Sequence, residues 1–200
     1  MRHGATPWNA GGRFQGVSDV ALSELGIVQA GAISRRLEGE RIDRLYSSDL
    51  SRALETARAI GLKHDVEPVP DGRLREFDFG EWEGLTWDEI ARRHPELGND
   101  ATAARSYAPP GGETFDAVRA RVRAFLADIL NAADGADANA SRHAVVVTHA
   151  GVLHAILAEL NLTAPAQSAA RFSPAGITRI VIDDTGSAAL LTFDDLSHVP

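Results

Sequence analysis

The chain has 200 residues, of which 44% are hydrophobic, enough apolar surface for one sizeable core and for one domain spanning 1–200. Cysteine is absent, which excludes disulfide frameworks, thiolate metal sites and cysteine nucleophiles together. A formal net charge of −8 repels nucleic acid and anionic membrane surfaces, and no apolar run nears the ~20 residues that span a bilayer, so the expectation is a cytoplasmic protein with neither partner.

Helical and strand periods alternate along the chain, which predicts an α/β fold, a three-layer α/β/α sandwich with a mainly parallel central sheet. Ser23 caps a helix whose apolar stripe is Ile27, Ala30, Ile33 and Leu37, and Gly39 stands where that helix ends. A strand over Ile42 to Ser47 follows, then a helix from about Leu50 to Ile60 that carries Arg52 in its first turn. Leu74 to Gly80 reads as extended, and Thr86 with Glu89 forms a capping box for a helix that Pro95 terminates. The stretch from Asn99 to Glu113, with Pro109, Pro110, Gly111 and Gly112, reads as a loop, part of a lid-like segment at about 85–113.

A helix begins near Thr114, with Phe115, Val118, Val122, Phe125, Ile129 and Leu130 at helical spacing and Arg119, Arg121 and Arg123 on a solvated face. Asn131 to Ser141 reads as a mobile surface connection. Val145, Val146 and Val147 form a buried strand that ends at Thr148 and His149, a helix runs from Val152 to Leu160, and Ile177 to Ile182 with Ala188 to Phe193 form a hairpin turned at Asp184 to Gly186.

Three polar clusters fall at or just past strand ends, where a parallel α/β sheet places its ligands: Arg2-His3-Gly4, Ser47 to Arg52, and Thr148-His149-Ala150-Gly151. If the topology brings them to one rim, two histidines and two arginines form an electropositive site within an acidic protein, suited to a phosphate dianion. Metal binding is not expected. His149 and His154 are five apart and fall on different helix faces, while His64, His94 and His143 have no ligand-like neighbours in sequence.

The run Arg2-His3-Gly4-Ala5-Thr6-Pro7-Trp8-Asn9, continuing through Arg13-Phe14-Gln15-Gly16, resembles the signature of the histidine phosphatase, or phosphoglycerate-mutase-like, family. Further blocks match in order: Ser47 to Ala53, Leu74-Arg75-Glu76 with Gly80 to Gly84, Pro110 to Glu113, and Val147 to Gly151. Five ordered blocks over nearly the whole chain carry far more weight than any three-letter match. The resemblance implies the phosphoglycerate-mutase-like fold, no cofactor, and a small phosphorylated metabolite as partner; a homodimer is compatible with it. It implies His3 as nucleophile, Glu76 as general acid and base, and Arg2, Arg52 and His149 as the catalytic pocket around the phosphoryl oxygens. Arg2, Asn9, Gln15, Gly16, Arg52, His149 and Ala150 match positions that bind phosphate or nearby substrate.

Two departures accompany these matches. Relatives carry a short hydrophobic strand before Arg-His-Gly, whereas only Met1 precedes it here, so a position in the sheet is expected to be empty or abbreviated. The region after the Glu76 block is short, with Arg92, Arg93 and Arg105 as its cations, which favours a phosphatase resembling the broad-specificity and α-ribazole-phosphate enzymes over a cofactor-dependent mutase. A non-catalytic phosphate-binding module is the third reading, and the intact His3, Arg2, Arg52, Glu76 and His149 weigh against it.

Overall fold

The computed structural model describes residues 1–97, 108–131, 142–165 and 171–200. The central strand β1 (Arg44–Ser47) pairs in parallel with β2 (Val69–Pro70) on one side and with β3 (Ala144–Val147) on the other. Arg44 lies opposite Ala144 and Ser47 opposite Val147. Beyond β3 the first residues of the chain take the next position. The Thr148 N–H donates to the Met1 carbonyl and the His3 N–H to the Thr148 carbonyl, both at 3.0 Å. On the far side the Arg2 N–H reaches the Gly176 carbonyl at 3.2 Å and the Ala175 N–H the His3 carbonyl at 3.0 Å. The abbreviated strand position is therefore filled by three residues paired on both edges. The expected hairpin follows as β4 (Ile177–Ile182) and β5 (Ala188–Asp195), antiparallel.

Side chains alternate across β1 and β3 and divide the core into two layers. Leu45, Val145 and Val147 face Ile33 and Leu37 of helix α2 (Glu24–Leu37) and Ala53, Ala57 and Ile60 of α3 (Ser51–His64). Tyr46 and Val146 face Val118, Val122 and Phe125 of α5 (Phe115–Asn131) and Val152, Leu153 and Ile156 of α6 (Ala150–Glu159). Each of these large apolar side chains contributes about 1.5–3 kcal/mol by burial. The result is the helix–sheet–helix sandwich anticipated from the alternating periods. Short helix α1 (Pro7–Ala10) and helix α4 (Trp87–Arg93) lie outside these layers.

Several local expectations change. Ile27 is 61% exposed, and the buried stripe of α2 runs instead through Gly26, Ala30, Ile33 and Leu37, a residue of rotation away. Of the stretch read as extended, Leu74 and Gly80 belong to two single 3₁₀ turns, Gly72–Leu74 and Gly80–Trp82, and residues 75–79 join them without pairing as a strand. Its carbonyls have another partner. Arg121, expected on a solvated face, donates to the carbonyls of Arg73 and Arg75 at 2.6 Å and of Glu76 at 3.0 Å, and to the Glu113 carboxylate at 2.9 Å. The capping box at the start of α4 forms as expected, with Thr86 N–H on the Glu89 carboxylate at 2.8 Å. Residues 98–107 of the expected loop and 132–141 of the expected connection lie outside the described residues. Among the described residues no helix is long and apolar enough to cross a membrane.

Candidate active site

The three polar clusters meet at the carboxyl ends of β1 and β3. Thr148 stands next to Arg2 in the sheet, which carries His149 to within reach of His3. The two buried imidazole rings are 5.0 Å apart between centroids, tilted by 59°. The Nδ1 of His3 lies 2.6 Å from the Gly4 carbonyl oxygen. A carbonyl can only accept, so the proton belongs on Nδ1 and the lone pair of Nε2 is left available.

Two guanidinium groups hold fixed places beside this ring. Arg52, in the first turn of α3 and wholly buried, donates through Nη1 to the Ser18 carbonyl at 2.8 Å and through Nη2 to the Gly16 carbonyl at 2.7 Å. That loop is itself anchored: the Glu83 carboxylate accepts from the Val17 and Ser18 N–H groups, each at 2.8 Å, and from the Ser18 hydroxyl. Gly16 has φ +56°, and a Cβ there would fall 1.8 Å from the Glu83 carboxylate, so the turn requires glycine. Asp19 from the same loop accepts the Ser51 N–H at 2.8 Å and caps α3 where Leu50 provides no side-chain cap. Arg2 donates through Nη1 to the Phe172 carbonyl at 2.7 Å.

Glu76 closes the third side. Its Oε1 accepts from the Phe77 N–H and from the Gly151 N–H in the first turn of α6, both at 3.0 Å. A Cβ at Gly151 would stand 2.5 Å from that oxygen, which restricts the position to glycine. The Nε atoms of Arg2 and Arg52 and both ring nitrogens of His149 are buried without a hydrogen-bond partner among the described residues. Each such group costs about 1–3 kcal/mol, a sum that a folded protein tolerates where a ligand later satisfies it. Burial, followed by the neighbouring Arg2 and Arg52 charges, holds His3 well below its ordinary pKa. Burial, then His3, Arg52 and Arg2, does the same to His149. Burial also lowers Arg2 and Arg52 below the ordinary guanidinium value, opposed by Glu76. The unliganded site thus presents neutral imidazoles between two cations, an environment with a strong preference for an incoming anion.

A cavity of about 190 Å³ opens onto these groups, with Arg2, His3, Arg52 and Glu76 in its lining. Asn9 and Gln15 also line it, and Thr6 orients both amides: its N–H reaches Asn9 Oδ1 at 2.9 Å and its hydroxyl reaches Gln15 Oε1 at 3.0 Å. With the oxygens occupied, the NH₂ groups remain as donors for a bound anion. His149 lies behind His3, and Gly16 and Ala150 fall outside the cavity lining.

The sequence profile of the histidine phosphatase superfamily, branch 1, matches residues 1–195. The chain belongs to that superfamily. Among curated relatives of this histidine phosphatase, the metal-independent phosphoserine phosphatase of Arabidopsis thaliana is 37% identical over 205 residues, covering 100% of this chain and 81% of the relative. The glucosyl-3-phosphoglycerate phosphatase of Mycobacterium tuberculosis is 38% identical over 170 residues, covering 80% of this chain and 73% of that one. Of solved structures, YhfR of Bacillus stearothermophilus superposes with a TM-score of 0.85 at 31% identity, covering 100% of this chain and 97% of the other. The α-ribazole phosphatase of Shigella flexneri superposes with a TM-score of 0.78 at 28% identity, covering 98% and 94%.

Several residues that shape the histidine phosphatase site were not singled out from sequence. Arg121 and Glu113 clamp the backbone that carries Glu76, and Glu83 holds the loop that holds Arg52. Phe14 and Phe79, edge to face at 4.9 Å, form an apolar wall of the cavity. Trp82 is fully buried in a cluster with Ile90 of α4 and Leu97. Spacing alone carries no sign of these roles, because each depends on a backbone carbonyl or ring that is remote in sequence.

Proposed function

We propose that this histidine phosphatase hydrolyses phosphomonoesters of small metabolites through a phosphohistidine formed on His3, without a metal ion. The Nε2 lone pair of His3 attacks phosphorus in line with the ester oxygen; the N–P bond forms as the P–O bond breaks, and Glu76 gives its proton to the departing alkoxide. Water, deprotonated by Glu76, then attacks phosphorus from the vacated side, and the N–P bond breaks to release inorganic phosphate. Arg2, Arg52 and His149 grip the equatorial oxygens, where transition-state charge accumulates. Asn9 and Gln15 add amide donors, while Gly16 acts through its carbonyl, which holds Arg52.

The observation that carries this reading is the His3 ring, its Nδ1 engaged by the Gly4 carbonyl at 2.6 Å, held beside buried guanidinium and imidazole nitrogens that have no partner among the described residues. Relatives named as phosphatases of phosphoserine and of a glucosylated phosphoglycerate support the substrate class. The net charge of −8 supports a small anionic metabolite, met in the cytoplasm within a concentrated pocket field, over nucleic acid or a membrane surface. Release of phosphate from p-nitrophenyl phosphate in excess chelator tests the proposal. Turnover that persists in chelator, with an acid-labile phosphoryl group trapped on His3, is expected. Activity that disappears with chelator and returns with a divalent ion sinks it.

A further inference from the structure

After His3 the chain leaves the sheet, so the amides of the next residues need partners other than a strand. Side chains of two helices supply them. The Gly4 N–H donates to the Thr56 hydroxyl of α3 at 3.2 Å, and that hydroxyl donates its own hydrogen to the Arg52 carbonyl at 2.8 Å. The Ala5 N–H donates to Gln29 Oε1 of α2 at 2.8 Å, and the Ala5 carbonyl accepts from the Ser23 N–H at 2.9 Å and hydroxyl at 3.1 Å. Two glycines allow this approach. A Cβ on Gly26 would fall 2.0 Å from the Ala5 carbonyl oxygen, and one on Gly4 would fall 2.5 Å from the Gly26 carbonyl oxygen, so the turn lies directly against α2. Gln29, three residues beyond Gly26 on the same face, is buried beside it.

The Gln29 bond differs from the others in one respect. The Ala5 N–H and the Gly4 carbonyl belong to a single conjugated peptide unit, and the Gly4 carbonyl is the acceptor for His3 Nδ1 at 2.6 Å. Three groups therefore form one chain of hydrogen bonds, from His3 Nδ1–H to the Gly4 oxygen, across the peptide bond, and from the Ala5 N–H to Gln29 Oε1. Bonds in such a chain polarise one another, because an acceptor on the N–H makes the carbonyl oxygen of the same peptide a stronger acceptor. Planarity adds a geometric effect: fixing the N–H fixes the direction in which the carbonyl points.

We infer that Gln29 is a positioning residue for the nucleophile, holding and polarising the Gly4–Ala5 peptide so that His3 keeps its proton on Nδ1 and presents Nε2 to phosphorus. This rests on the phosphohistidine reading above. When the N–P bond forms, positive charge appears on the ring and is shared with Nδ1–H, so the bond to the Gly4 oxygen strengthens in the transition state. The effect of Gln29 therefore falls on phosphoryl transfer. Phosphate binding is spared, because Arg2 and Arg52 take their positions from the carbonyls of Phe172, Ser18 and Gly16.

Gln29→Met removes the acceptor at nearly constant volume, while Gln29→Glu keeps an oxygen for the Ala5 N–H whether or not its carboxyl is ionised. The rate of phosphoryl transfer is read as p-nitrophenol release from p-nitrophenyl phosphate in single turnovers with enzyme in excess. It is expected to fall by about tenfold in Gln29→Met and to recover to within about threefold of the wild type in Gln29→Glu. Affinity for inorganic phosphate, measured by calorimetry, should stay within about twofold in both. Imidazole ¹⁵N shifts should show His3 protonated on Nδ1 in the wild type and in Gln29→Glu, and shifted toward the Nε2–H tautomer in Gln29→Met. Should Gln29→Met fail to fold, Gln29→Asn, whose shorter side chain withdraws the acceptor, carries the same expectation. An unchanged rate and tautomer overturn the inference. So does a loss shared equally by rate and phosphate affinity, or by Gln29→Met and Gln29→Glu, since a packing defect moves them together. Variants that match a wild type able to phosphorylate His3 sink this inference alone. A wild type that places no phosphoryl group on His3 sinks the reading beneath it.

Discussion

The buried cluster around His3 and the exposed Arg13 are built on opposite terms. In the cluster, His3, Arg52 and His149 are fully or almost fully buried, and the arginines are fixed by main-chain carbonyls of Gly16, Ser18 and Phe172. Four of the nitrogens there have no partner among the described residues, so the folded protein carries a cost that a bound oxyanion removes. Arg13, a partly exposed cation of the lining, is engaged among the described residues only through Nη1, by the Gly84 carbonyl and by a solvent-screened pair with Glu89. The contrast teaches that desolvated, preorganised charge can act strongly on a bound anion, whereas a solvated ion pair is screened and contributes little.

The comparison can be broken most severely at the nucleophile. His3→Asn is expected to lower kcat on p-nitrophenyl phosphate by at least about 10³-fold while inorganic phosphate still binds, as read by calorimetry. Arg52→Lys keeps the charge but loses the fork shared between the Gly16 and Ser18 carbonyls and the substrate; steady-state kinetics should show kcat/KM falling by about 10²-fold. A smaller effect is expected from Arg121→Met, which touches no substrate and acts through the backbone of Glu76. It should reduce kcat by about tenfold with little change in KM, displace the pH profile of kcat, and lower the urea midpoint through the lost carbonyl bonds. A wild-type pH profile in that variant would make Arg121 a purely structural residue.

The smallest effect concerns stability. Both imidazoles have lowered pKa values in the folded state, so as pH falls below about 6.5 the unfolded chain binds protons that the native chain refuses. Stability is therefore full above that value and is lost as pH falls, by about 1.4 kcal/mol per pH unit for each histidine kept neutral. The Met1 amine, which burial lowers to about 5, adds a loss of the same sign from pH 8 downward. Thermal unfolding from pH 8 to 5 should show the decline. His149→Asn should remove one histidine's share, and saturating phosphate should flatten the remainder by favouring the protonated rings. Exposed Arg13 and Glu89 should leave this slope unchanged when substituted.

Much of the site was legible in advance because it is built from short contiguous blocks. Arg2-His3-Gly4, Arg52 in a helical first turn and Thr148-His149 after a valine run each combine a local conformation with the chemistry a phosphate needs, and the structure brings all three together. The run Val145 to Val147 was legible as a buried strand, whereas its division between two core layers appears only in the structure, where alternate side chains face opposite sides of the sheet. Ile27 was misjudged because a helical stripe can be drawn through neighbouring rotations, and only the partner surface selects one.

By itself the sequence determined the helices, the parallel strands, the order of the blocks and the candidate reacting groups, because capping, periodicity and side-chain chemistry are local properties. Tertiary structure alone decided that Arg121 turns inward to hold the Glu76 backbone and that Glu83 braces the loop under Arg52. It alone placed Arg13 between Gly84 and Glu89. Each of these depends on carbonyls or carboxylates dozens of residues away, and a guanidinium takes its role from whichever acceptors the fold delivers to it.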